Sequence, residues 1–142
     1  MDYHLERFVK SQYETYDRAF YEIKRGWKVM HWMWYIFPQL RELAKSRMAE
    51  FYGIENMEEA KQYLAHHVLG KRLRECCESL LALDTNDPCK VLGRTDDVKL
   101  RYSMTLFAEA EGEGSVFEKV IDKFYQGEKD RKTIELLKRQ SV

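Results

Sequence analysis

Two prolines, seven glycines and three cysteines in 142 residues leave the chain with few helix breakers and no framework of disulfides. Cys76 and Cys77 are adjacent, so a bridge between them would be strained, and with Cys89 they make an odd number without the paired spacing of zinc ligands. Reduced thiols in the cytoplasm are the simplest account. Net charge is also missing: 24 lysines and arginines balance 24 acids, so no global field draws nucleic acid or an anionic membrane to the chain. Any anion site must be local. No apolar run approaches the roughly 18 residues of a membrane span, and the opening MDYHLERFVK is too charged for a signal peptide. Sustained period-two alternation is absent, which excludes a strand-rich fold. Hydrolase signatures are absent too: there is no GxSxG, no glycine-rich phosphate loop, and no cysteine–histidine pair with an orienting third group.

What is present is helical period. Leu5, Phe8, Val9, Gln12, Tyr16, Ala19, Phe20 and Ile23 recur at three and four residues and form one apolar stripe, closed by Gly26. A second helix is expected from Leu40 to Tyr52, with Pro38 at its start and Gly53 as its C-cap. Asn56 and Glu59 have capping-box spacing, and the stripe after them runs through Tyr63, Leu64 and Leu69, past Gly70, to Leu81. That length implies one kinked helix or two abutting ones. Further starts are expected near Asp96 and Asp97, at Ser115 and at Asp130. The reading is all-α: a single multihelical globular domain of about seven helices over residues 1–142.

Three polar clusters stand out from this scaffold. The first is KVMHWMWYIFPQ, Lys28 to Gln39, where Lys28, His31 and Gln39 are costly to bury without partners and Trp32 and Trp34 offer stacking faces. Its plainer account is a core segment with hydrogen-bonded indoles and a snorkelling lysine. The second is His66, His67 and Arg72, a fork of donors beside an imidazole that suits phosphate. Adjacent histidines point to different faces and lack a third ligand, so no metal site is expected. The plainer role for Arg72 is an ion pair with Glu75 or Glu78. The third is Asp97, Lys99, Ser103 and Thr105, with Lys99 and Ser103 on one helical face. There Asp97 is either a general base or carboxylate orienter, or simply a first-turn acid.

With KVMHWMWYIFPQ, EEAKQYLAHHVLGKRL, DDVKLRYSMTLF and GEKDRKT together, the chain resembles a widespread family of short bacterial proteins of unknown function, some mislabelled calpastatin-like. The family pattern falls on Lys28, His31, Trp32, Trp34 and Gln39, on His66, Gly70 and Arg72, and on Asp97, Lys99, Ser103 and Thr105. The resemblance implies a multihelical single domain and no established activity. This chain departs from it in three places: no glycine follows the FPQ element, His67 replaces a proline, and Tyr102 replaces the first of two serines. A fainter similarity of order links it to the all-α NADAR proteins. That likeness implies ADP-ribose chemistry, with Trp32 stacking, Arg72 or Lys99 on the pyrophosphate and Asp97 supporting an oxocarbenium-like centre.

The functional expectation is a pocket for a nucleotide-like or ADP-ribose/NAD-derived small molecule, which the protein hydrolyses or sequesters without a cofactor. Asp97 and His31 are the catalytic candidates; Lys28, Trp32, Trp34, Gln39, His66, Arg72, Lys99, Ser103 and Thr105 are the binding candidates. Geometrically, His31 and Trp32 should face Arg72 and Lys99 across one cleft. The alternative is a helical module that docks a protein partner or a second copy of itself, with no catalysis. Nucleic acid is disfavoured because residues 28 to 39 lack interleaved cations.

Overall fold

The apolar stripes become nine α-helices among the described residues, 2–141, of the computed structural model. They are α1 (Glu6–Arg25), α2 (Met33–Ile36), α3 (Arg47–Phe51), α4 (Met57–Ala65), α5 (Leu69–Leu81), α6 (Pro88–Leu92), α7 (Asp96–Glu111), α8 (Val116–Tyr125) and α9 (Arg131–Gln140). Six are long and three, α2, α3 and α6, are single turns. The fold is all-helical, with only an isolated bridge between Leu40 and Ile54 among the described residues. Its core gathers the largest fully buried side chains, Trp32, Tyr63, Phe8, Phe37, Phe107 and Phe117. α7 is central and packs on α4, α6, α8 and α9.

Several expected helix starts are present as side-chain caps. Asn56 accepts from the Glu59 N–H at 2.9 Å while Glu59 accepts from the Glu55 N–H at 2.7 Å, a capping box displaced by one residue. Ser115 and Asp130 likewise accept from Glu118 and Thr133. Gly70 sits where α5 starts after a break at residues 66–68, so the long stripe is two abutting helices. A Cβ on Gly70 would lie 2.1 Å from the Leu64 carbonyl oxygen, which is why the junction takes glycine.

The stretch from Leu40 to Tyr52 is not one helix. Ile54 N–H donates to the Gln39 carbonyl at 2.8 Å and Arg41 N–H to the Ile54 carbonyl at 2.9 Å, so the chain folds back on itself and the stretch divides into a 3₁₀ turn at Arg41–Leu43 and the single turn α3. Pro38 lies in the extended segment before that turn rather than at a helix start. Gly53 does not have the left-handed backbone of a C-cap glycine; it is there because a Cβ would meet the Arg41 Cα at 2.5 Å. Helix propensity in this stretch yields to tertiary backbone pairing.

Candidate functional site

Local chemistry at the end of α1 shapes the tryptophan-rich run. Gly26 takes φ 81°, which only glycine adopts readily, and turns the chain back over α1. The Glu22 carboxylate is fully buried. Its Oε1 accepts from the Val29 and Met30 amides at 2.8 and 3.0 Å and from the Trp32 indole N–H at 2.8 Å, and its Oε2 accepts from Arg18 at 2.8 Å. Burial alone would raise its pKa; these donors outweigh burial and hold it at about 2. Lys28 N–H donates to the Val91 carbonyl at 2.7 Å, which fastens the loop to α6.

This scaffold brings Lys28, His31 and Trp34 to the start of α7. With Arg94, Thr95 and Asp96 they line an open recess of about 360 Å³. The Lys28 side chain is only 8% exposed; its ammonium lies 2.9 Å from Asp96 Oδ2 and 5.2 Å from the centre of the Trp32 ring. Lys99, one helical turn along α7, reaches Asp96 Oδ1 at 3.3 Å. One carboxylate therefore orients two ammonium groups. Arg94 and His31 are exposed on the rim. Trp34 and Met33 also wall a second, enclosed crevice shared with Phe37, Gln39, Tyr52 and Lys99. Its free volume of about 10 Å³ has room for roughly one water, so a larger ligand would sit in the outer recess.

The other sequence candidates lie elsewhere. Trp32 is 1% exposed and its indole N–H is taken by Glu22, leaving no face open to a ligand; it supports the recess from beneath. Arg72 lines neither space. It lies over the Tyr16 ring at 4.7 Å and donates to Gln12 at 3.4 Å, and it has no ion pair with Glu75 or Glu78 among the described residues. His66 lines a separate groove on α5, and its Nδ1 accepts from the Val68 and Leu69 amides, both at 3.2 Å, as a helix cap. Burial, followed by the stacked His67, lowers its pKa from the ordinary histidine value, as a neutral acceptor requires. Thr105 is buried and accepts from the Asp130 amide at 2.8 Å. Ser103 is fully buried and its Oγ has no partner among the described residues. Asp97 accepts from its neighbour Val98 N–H and lines neither space.

His31 and Trp32 thus do not face Arg72 across one cleft; Lys28, His31 and Trp34 line the recess with Asp96, Lys99 pairs with that carboxylate, and Gln39 lines the adjoining crevice with Trp34 and Lys99. Sequence reasoning passed over Asp96 and Arg94, because Asp96 reads as a first-turn acid and Arg94 belongs to no motif. Glu22 interrupts the apolar pattern of α1, where only its spacing of three residues from Ala19 on the stripe hinted at burial.

The family model described as a protein of unknown function, DUF1810, matches residues 2–137. The chain belongs to that family. The conserved hypothetical protein Rv1873 from Mycobacterium tuberculosis, known from a crystal structure, is 42% identical over 94% of this chain and 96% of its own, with a TM-score of 0.92. No curated protein matches the sequence. The family and its helical fold are therefore settled, and neither relative brings an activity with it. No helix among the described residues is long and apolar enough to cross a membrane.

Proposed function

We propose that the recess at the start of α7 binds a nucleotide-like small molecule of the ADP-ribose or NAD-derived class. Phosphate oxygens would be met by Lys28, Lys99 and the planar fork of Arg94, and the ring would lie against Trp34 with His31 at the rim. The observation that carries this reading is the meeting of Lys28 and Lys99, 71 positions apart, on the single carboxylate of Asp96 beside a partly exposed indole. Two cations around one acid leave one net positive charge, and each ammonium keeps N–H donors beyond the one that Asp96 accepts, so a phosphate can share them without displacing the carboxylate. The recess volume of about 360 Å³ also falls in the ordinary range for small-molecule sites.

Hydrolysis would need a proton-transfer group at the ligand, and the side chains placed to serve are His31 and Asp96. If the NADAR likeness carries over to chemistry, the carboxylate supporting an oxocarbenium-like centre is Asp96 rather than Asp97. Sequestration is favoured over cleavage, since Asp96 is already engaged by both lysines. The second reading, a docking module without catalysis, draws on Phe51 and Met48, which stay 57% and 43% exposed on α3.

The test is calorimetric titration with ADP-ribose, NAD and AMP, backed by thermal melts. At least one ligand should bind the parent, and Trp34→Ala and Lys99→Ala should each weaken it about tenfold, the loss of roughly one charged hydrogen bond or one stacking face. Absence of binding by all three ligands, or binding that ignores both substitutions, would overturn the assignment.

A further inference from the structure

The loop between α1 and α2 is rigid in its backbone and exposed in its side chains. Four consecutive amides are held: Trp27 by the Glu22 carbonyl, Lys28 by the Val91 carbonyl, and Val29 and Met30 by the Glu22 carboxylate. Yet Trp27, Val29 and Met30 remain 62%, 47% and 51% exposed. Large apolar side chains presented on a fixed backbone lose little further entropy when something covers them.

Trp27 ends a ladder in which rings and guanidinium groups alternate. Arg18 lies 5.9 Å from the Tyr21 ring centre, and Arg25 lies 5.4 Å from Tyr21 and 5.2 Å from Trp27. Tyr21 is half exposed, and Lys28, next in the chain, enters the recess. Between residues 17 and 31 the acids are Asp17 and Glu22, and Glu22 is buried against Arg18, whereas Lys24 and Arg25 have no ion pair among the described residues. The cations missing from the run at 28 to 39 are thus supplied by the neighbouring turns of α1.

We infer that this ladder binds a short single-stranded nucleic acid whose end nucleotide enters the recess. The inference rests on the recess taking a nucleotide-like ligand. Half-exposed rings stack on bases of any kind, and flanking Lys24 and Arg25 meet the phosphates, so recognition is indifferent to sequence. The alternation of exposed rings with cations, and the step of the chain from Trp27 to Lys28 in the recess wall, favour this occupant over an acidic protein segment or an anionic lipid surface, which offer no bases to stack.

The experiment titrates a fluorescein-labelled single strand of about twelve nucleotides by anisotropy, beside AMP, polyglutamate and phosphatidylserine vesicles. The strand should bind at least about tenfold more tightly than AMP, and weaken as salt rises. Trp27→Ala and Tyr21→Ala should each cost the strand about tenfold while AMP affinity and the melting temperature stay unchanged, and Trp27→Phe should restore stacking. Strand affinity equal to that of AMP, indifference to the alanine substitutions, or equally tight binding to polyglutamate or vesicles would overturn the ladder assignment. If the strand binds through Trp27 while AMP, ADP-ribose and NAD all fail to bind, the ladder stands and the recess reading falls.

Discussion

Glu22 holds a charge in the interior, where an unpaired carboxylate would be intolerable, and four donors make it tolerable. Its native pKa of about 2 lies below the ordinary value of 4.5. The unfolded chain therefore binds the proton first on acidification. The stabilisation is complete above about pH 5 and is lost as pH falls through 4.5 toward 2. Glu22→Gln should lower stability at neutral pH by about 2 kcal/mol and flatten the acid limb of stability against pH, as read by urea unfolding. Parallel curves for parent and variant would show that the carboxylate is not the anchor of the loop. Ser103 makes the opposite point. Helical spacing correctly places it one turn from Lys99, yet its depth in the core, with no partner for its hydroxyl among the described residues, is invisible to spacing.

Helix starts were the most legible elements, because a cap is a contact within four residues. Asn56, Ser115 and Asp130 all accept the amide three positions on. Failure came where a distant backbone intervened, as when Ile54 paired across Gln39 and Arg41 and broke the expected helix from Leu40 to Tyr52. Gly70 allows a test at this scale. Helix propensity alone predicts that Gly70→Ala stabilises α5 by up to about 1 kcal/mol. The approach of the Leu64 carbonyl, 2.1 Å from where the Cβ would sit, predicts a loss of about 2–3 kcal/mol instead. Chemical denaturation distinguishes the two by sign.

At the scale of the molecule, the three clusters picked out in the sequence separate. Lys28, His31, Trp34 and Lys99 meet around Asp96, while Arg72 joins Tyr16 and the buried Gln12, whose amide donates to the Tyr35 carbonyl at 2.7 Å. Arg72→Ala should therefore destabilise the fold by about 1–2 kcal/mol, and leave affinity at the recess within about a factor of two, since separate sites act independently. A large loss of ligand affinity without loss of stability would return Arg72 to the site. The sequence by itself determined the helical class, the capped starts and the unusual polar residues of the tryptophan run, because periodicity and capping act over a few residues. Only the tertiary structure decided that Trp32 is buried support while Trp34 reaches the recess, and that Asp96 rather than Asp97 holds the lysines. Those choices depend on how the segment after α1 is seated, and the Trp32 contact with Glu22 of α1 together with the Lys28 contact with Asp96, far along the chain, sets that seating.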